Sequence, residues 1–393
     1  MMRFLLCLFV AIGLMGCPAS TEEASRQASS PKPQDRKVLI PEDYRYETNI
    51  KTAQLYRGNT EESYPVIYLG TTGFLTLEFD ELMPLDQRES DFFVDIVNCD
   101  VNWEPTNVLP VEFYEGFTQD RIDLFDRSEF TKIPYVHYWY QFPQEKESFK
   151  MSGNYLLKVY RNGDPNDLVL TRRFIVVDPR IPVQTKYLLN DRVERLSFGN
   201  FSFEVATASL NVVNPTRDLQ IQILQNFRWD NRIQMGLPRF QADNTLEYFV
   251  NVGQDFPGGN EFRRHLVSST RFYSESMQSV EERENIYDIY LFPDESRSVL
   301  TTGGRRDRNG SFGVRVNEWP NPDQQADYVR NHFSLKQNQP VKGEVYVQGR
   351  FSDWQLLPEY RLTYNAPNQR YEGSVILKQG IYDYQYVVKD PVD

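Results

Sequence analysis

Apolar and polar residues alternate with a period of two along much of the chain. Leu75, Leu77 and Phe79 fall on one side of an extended segment, and Phe74, Thr76, Glu78 and Asp80 on the other. That pattern predicts a strand with one face buried. Short runs of strand-forming residues recur at 66–69, 74–79, 92–97, 137–142, 155–160 and 168–177. Turn-forming groups separate them, among them Ser152-Gly153-Asn154 and Asn162-Gly163-Asp164-Pro165. Such Gly/Asn pairs supply the positive φ that tight hairpins need. Several short strands without a helical period predict an immunoglobulin-like sandwich over residues 44–178. Asp178-Pro179 ends it, because Pro179 cannot donate to a ladder.

A second block, residues 179–338, has strand candidates at 201–205, 219–224, 246–250, 286–292, 312–316 and 328–335. Here Leu219, Ile221 and Ile223 alternate with Gln220 and Gln222. A third block, residues 339–393, carries candidates at 344–349, 361–364, 371–377 and 382–388. No strand pattern follows Lys389, which leaves this block short of a closing strand. The fold class expected is therefore all-β, a tandem of immunoglobulin-like or early-set β-sandwich domains.

The N-terminus breaks the pattern. Arg3 precedes an apolar run at 4–14, followed by Leu14-Met15-Gly16-Cys17. As a helix that run would rise about 16 Å, roughly half a bilayer core, so it reads as a secretory signal over residues 1–16. The junction resembles the lipobox of bacterial lipoproteins, which implies lipidation of Cys17 and an outer-membrane lipoprotein. Residues 17–43 are Ser, Ala, Gln, Pro and charge, a composition expected to form a disordered tether.

Composition narrows the function. Without Arg3 the remaining chain holds 42 basic and 55 acidic residues, a net charge near −13. Such a balance disfavours nucleic acid as a partner. Cys99 is the only cysteine after Cys17, so no internal disulfide framework is expected and the domains rest on core burial. His137, His265 and His332 are far apart in sequence. Metal sites and nucleophilic catalysis need His, Cys and carboxylates to converge, so no catalytic residue, metal or cofactor is assigned. Asp120, Asp123 and Asp126 lack the Gly and terminal Glu of a calcium loop.

Three segments combine aromatic and arginine residues in loops, the residue types that interfaces favour. A long loop from Asn98 to about Pro134 contains Trp103, Phe117 and Arg121; the others contain Arg228 with Trp229, and Phe256 with Arg263. These seven residues are the expected partner contacts.

Several motifs together resemble a known family. They are Tyr56-Arg57-Gly58, Ser63-Tyr64-Pro65-Val66-Ile67, Asn98-Cys99-Asp100 with Trp103, and Gly116-Phe117 with Arg121-Ile122-Asp123. Further along come the 152–160 segment Ser-Gly-Asn-Tyr-Leu-Leu-Lys-Val-Tyr, Thr171-Arg172-Arg173-Phe174, Gln225-Asn226 with Arg228-Trp229-Asp230-Asn231, and the 256–263 segment Phe-Pro-Gly-Gly-Asn-Glu-Phe-Arg. Over residues 44–393 the chain resembles the plug proteins of the Bacteroidetes type 9 secretion system. The resemblance implies a non-enzymatic periplasmic component, held at the outer membrane, that occludes the translocon barrel when no client passes. The third block, through Val345-Tyr346-Val347-Gln348-Gly349, Phe351-Ser352-Asp353-Trp354 and Tyr382-Asp383-Tyr384-Gln385-Tyr386, also resembles glycogen-binding early-set modules. That likeness implies an alternative, a lipid-anchored carbohydrate-binding protein using Trp354, although Gln385 stands where the modules have Lys.

Overall fold

Two sheets face each other across the first core. One contains Tyr44–Arg45, Leu168–Val177, Gly153–Arg161, Phe92–Cys99 and Gln119–Arg121 in that order, with Val66–Tyr68 added in parallel to Leu168–Val177. The other contains Ile50–Arg57, Leu75–Leu82, Tyr135–Phe142 and Leu124–Arg127. Leu77, Phe79, Val94, Ile96, Leu157, Val159 and Phe174 point into the space between them and are almost wholly buried. The computed structural model describes residues 37–187, 198–199, 201–210, 212–242, 244–250, 256–257, 261–297 and 307–390. The expected signal, Cys17 and most of the expected tether lie outside the described residues, as do Gly258, Gly259 and Asn260.

The segment 37–43, expected to be part of the tether, is packed onto the first sandwich. Lys37 pairs with Glu47 at 2.7 Å and Asp167 at 2.9 Å. Thr171 Oγ1 donates to the carbonyl of Glu42 at 2.7 Å, and Arg173 Nε to that of Pro41 at 2.8 Å. These backbone groups thus gain partners that composition alone does not reveal.

The middle segment forms a smaller sheet of Val183–Tyr187, Phe201–Ala206, Thr245–Phe249 and Phe240–Ala242. Its core holds Phe203, Val205, Leu246 and Tyr248. The strand expected at 219–224 is reduced to Gln222–Ile223, paired with Ile233–Gln234.

The remaining strands do not respect the expected break between residues 338 and 339. Arg263–Val267, Met277–Glu282, Tyr287–Leu291, Phe312–Val314 and Tyr328–Lys336 join Glu344–Gln348, Arg361–Asn365, Arg370–Lys378 and Gly380–Lys389 in one nine-stranded sheet. Tyr328–Lys336 and Arg370–Lys378 pair along nine residues. They share one core, including Val267, Ile289, Val329, Phe333, Val345 and Tyr382. The third block therefore completes strands supplied by the second, which is how a segment without its own closing strand is stable.

The first sandwich and this large sheet are joined through polar side chains. The strand Leu75–Leu82 was expected to turn its polar face to water, but Thr76 and Asp80 are buried. Asp80 Oδ2 accepts from Lys378 Nζ at 2.7 Å and from the Tyr328 hydroxyl at 2.6 Å. Asp80 Oδ1 lies 2.7 Å from His137 Nδ1. Lys378 also donates to the Asp323 carbonyl at 2.8 Å and sits 4.1 Å from the centre of the Tyr135 ring. Burial opposes the Asp80 charge, yet Lys378 and His137 more than offset it and hold the carboxyl below its ordinary range. Around this seam Arg45 pairs with Asp353 at 3.2 Å and Lys51 with Glu359 at 2.5 Å. Residues from Lys37 onward thus form one compact unit.

Breaking a buried pair from one side costs far more than replacing both partners, because a lone charge is left without water. Lys378→Met should lower the unfolding free energy by about 3–5 kcal/mol. Asp80→Asn combined with Lys378→Met should recover much of that loss, as urea titrations of the two variants would show.

His265 provides a pH readout for the large sheet. It is wholly buried between Asn331 Oδ1, 2.7 Å from Nε2, and Ser276 Oγ, 3.1 Å from Nδ1. Burial pushes its imidazole down to about 4 from 6.5, with the Asn331 hydrogen bond opposing. Between those values the unfolded chain binds the proton and the folded one does not, so stability falls as pH drops. About 2 kcal/mol should be lost between pH 7 and 5 through this group. His265→Gln should flatten that part of the profile, measured as urea midpoint against pH.

Candidate interaction site

The Asn98–Trp103 turn is fixed by its own polar side chains. Asp100 Oδ1 accepts the N–H groups of Asn102 at 2.8 Å and Glu104 at 3.0 Å. Thr106 Oγ1 donates to Asn98 Oδ1 at 2.6 Å. Trp103 takes the left-handed conformation, with φ 70°. Its ring is thereby turned inward to pack edge-on against Trp229, with centroids 4.8 Å apart. The Arg173 guanidinium lies 4.8 Å from the Trp103 ring and 5.1 Å from the Trp229 ring. Trp103 is 2 % exposed, so this expected contact anchors the loop from inside.

Most of the other expected contacts are also used within the chain. Arg228 forms two hydrogen bonds to the Asp230 carboxylate, at 3.1 and 2.5 Å, and its guanidinium lies 4.2 Å from the Trp354 ring. Trp229 is half-buried against Trp103 and Phe227, and Phe227 in turn stacks on Tyr64 with centroids 4.8 Å apart. Phe256 is buried in a short pairing with Phe198–Gly199. Arg263 pairs with Asp294 at 2.7 Å and covers Tyr386 at 5.3 Å. Trp354 belongs to the same junction: Arg228 caps one face, and Gly310 meets its edge so closely that a Cβ there would fall 2.2 Å from Cη2. Gln385 donates to Gln348 at 2.8 Å and Gln348 to the Trp354 carbonyl at 2.6 Å. Such a ring, capped and wedged, is a poor platform for stacking a sugar.

Phe117 and Arg121 do reach solvent. Phe117 is 81 % exposed and follows Gly116, whose φ of +123° suits glycine and whose missing side chain leaves room for Glu147. Glu147 holds the turn by accepting from the Tyr114 hydroxyl at 2.8 Å. Arg121 is half-exposed and pairs with Asp91 and Asp123. The segment expected to be one long loop is more ordered than that. It contains the short helix Pro110–Phe113 and the strands Tyr114–Glu115, Gln119–Arg121 and Leu124–Arg127. It also exposes Leu109, Val111 and Leu124. Phe130, stacked on Trp319 with centroids 5.0 Å apart, is a further exposed aromatic that the sequence reading missed. Its signal in the sequence was a lone apolar residue among Ser128, Glu129, Thr131 and Lys132; the structure places it at φ 61°.

Side chains of chemical interest are occupied. Burial pushes the Cys99 thiol up to about 12, so it is protonated and unreactive near neutrality. His332 Nε2 lies 2.8 Å from Asp288, and His137 Nδ1 lies 2.7 Å from Asp80. Among the described residues no group of three or more His, Cys, Asp or Glu is arranged to hold a metal ion. The two aromatic classes should separate on truncation. Trp103→Ala should destabilise the fold by about 3–5 kcal/mol, whereas Phe117→Ala should stay within about 0.5 kcal/mol, by thermal or urea unfolding.

A family profile, that of the type 9 secretion system plug protein first domain, matches residues 50–178. The span takes in the sandwich, the Trp103 turn and Phe117. A crystal structure of a hypothetical protein from Parabacteroides merdae ATCC 43184 is similar over 89 % of this chain and 88 % of that one, with 29 % identity and a TM-score of 0.83. No curated protein matches the chain. The match attaches the chain to type 9 secretion and to the cell envelope. Over residues 50–178, its first sandwich, the chain is similar to the first domain of type 9 secretion system plug proteins.

Proposed function

We propose that this chain is a non-enzymatic plug that seals the outer-membrane translocon barrel of the type 9 system sterically, from the periplasmic side, tethered by lipid on Cys17. The observation that carries the reading is the plug-domain match over residues 50–178. A steric seal needs a body that keeps its shape under load. The buried Asp80–Lys378 pair and the Trp103–Arg173–Trp229 stack supply that by joining distant parts of the chain. It also needs a contact surface with modest affinity, since a tight complex releases slowly. Phe117 and Arg121, exposed beside Leu109, Val111 and Leu124, are the contacts this reading favours. Trp103, Arg228, Trp229, Phe256 and Arg263 act behind them by holding the junctions.

Exposed aromatic anchors of an interface typically contribute 2 kcal/mol or more, about a 30-fold change in affinity. Tagged chain purified from outer membranes should bring down the barrel, and Phe117→Asp should cut that recovery about 30-fold while leaving the unfolding midpoint unchanged. Cells lacking the chain should admit large hydrophilic solutes that intact cells exclude. An unaltered envelope, or full recovery with Phe117→Asp, would sink the reading or move the contact elsewhere, respectively.

A further inference from the structure

The first sandwich, the middle segment and the large sheet meet around a cleft of about 470 Å³. Its walls include Arg173, Trp229, Arg232 and Trp354, with Glu42 and Asp43 at one side. A volume of this order suits a small ligand rather than a single ion.

Three of the lining acids are already committed, and the first, Asp43, accepts the Arg173 backbone N–H on Oδ1 at 2.8 Å. Asp230 is held by Arg228, and Asp353 pairs with Arg45 and Arg172 at 3.2 and 3.3 Å. The cations are less so. Arg173 is 95 % buried, since only 5 % of its surface is accessible; its Nε is spent on Pro41, and its terminal nitrogens have no hydrogen-bond partner among the described residues. The two indoles and that one bond fix its plane, so little entropy is left to lose on binding. Arg232 is exposed at the mouth and has no ion pair among the described residues. Burial and the nearby Arg232 weigh against the Arg173 cation, which Asp43 and Glu42 support.

We propose that this cleft binds a short peptide by its carboxylate, which the Arg173 and Arg232 guanidinium groups receive while Trp229 and Trp354 pack against its apolar body. A planar guanidinium matches a carboxylate in charge and geometry. The adjacent Glu42 oxygens suit the peptide's N–H donors and, with Asp43, repel a free dianion such as phosphate. The site is independent of the proposed sealing role, because it involves neither Phe117 nor the exposed segment around it.

Tryptophan fluorescence of the full chain, with Trp229 and Trp354 in the cleft wall, can follow binding, and calorimetry can confirm it. The probes are N-acetyl dipeptides ending in Phe, Leu or Lys, their C-terminal amides, and inorganic phosphate. At least one free acid should saturate, with its amide at least about 10-fold weaker and phosphate not competing at equal concentration. Arg232→Gln should weaken the acid about 10-fold or more with the urea midpoint unchanged. Equal binding of acid and amide, no saturation by any peptide, competition by phosphate, or an unaffected Arg232→Gln would each overturn the proposal.

Discussion

A carboxylate sealed away from water governs the architecture. Asp80 is completely buried, and its charge is tolerable only while Lys378, Tyr328 and His137 all face it. Two of those partners come from the large sheet and one from the first sandwich, so the charge is satisfied only when the halves are docked. Separation would expose an ion pair to rearrangement and strip several buried hydrogen bonds at once. A chain that reads as a string of sandwiches is in this way made into one body. Such coupling gives a stiff object from parts with modest individual cores.

The same logic explains the tryptophans and arginines. Trp103, Trp229 and Trp354 come from three different stretches of sequence and meet with Arg173 and Arg228 between them. Indole and guanidinium planes stack with partial desolvation, a contact of about 0.5–2 kcal/mol each. These are interface residues, as their chemistry suggests, but the interface lies within the chain. What is left on the outside is different in kind: single apolar residues on a segment with little packing above it, Phe117 foremost.

The Trp354 ring also shows why likeness of motif is a weak guide to function. A sugar platform needs an open aromatic face with hydrogen-bonding groups around it. Here Arg228 occupies one face, Gly310 meets the edge, and Gln385 is engaged in a chain of amides leading back to the Trp354 carbonyl. The residue serves the junction and the cleft that the junction encloses.

Period-two alternation at 74–79, 92–97 and 155–160, with glycine and asparagine between, was enough to determine an all-β chain and the first sandwich, because a strand's inward face must be apolar whatever it packs against. The segments on which the resemblance rested were likewise local and legible, among them Gly116-Phe117 and Asn98-Cys99-Asp100. Three things were decided only by tertiary structure. The polar side of Leu75–Leu82 is buried, since its partners Lys378 and Tyr328 lie about 250–300 residues away in sequence and no local pattern encodes that pairing. The expected break at 338/339 vanishes into one sheet, because ladder hydrogen bonds join strands without regard to sequence block. And whether Trp103, Trp229 or Phe117 faces a partner or the chain itself depends on which surfaces the fold brings together, a property of the assembled molecule that residue chemistry alone does not carry.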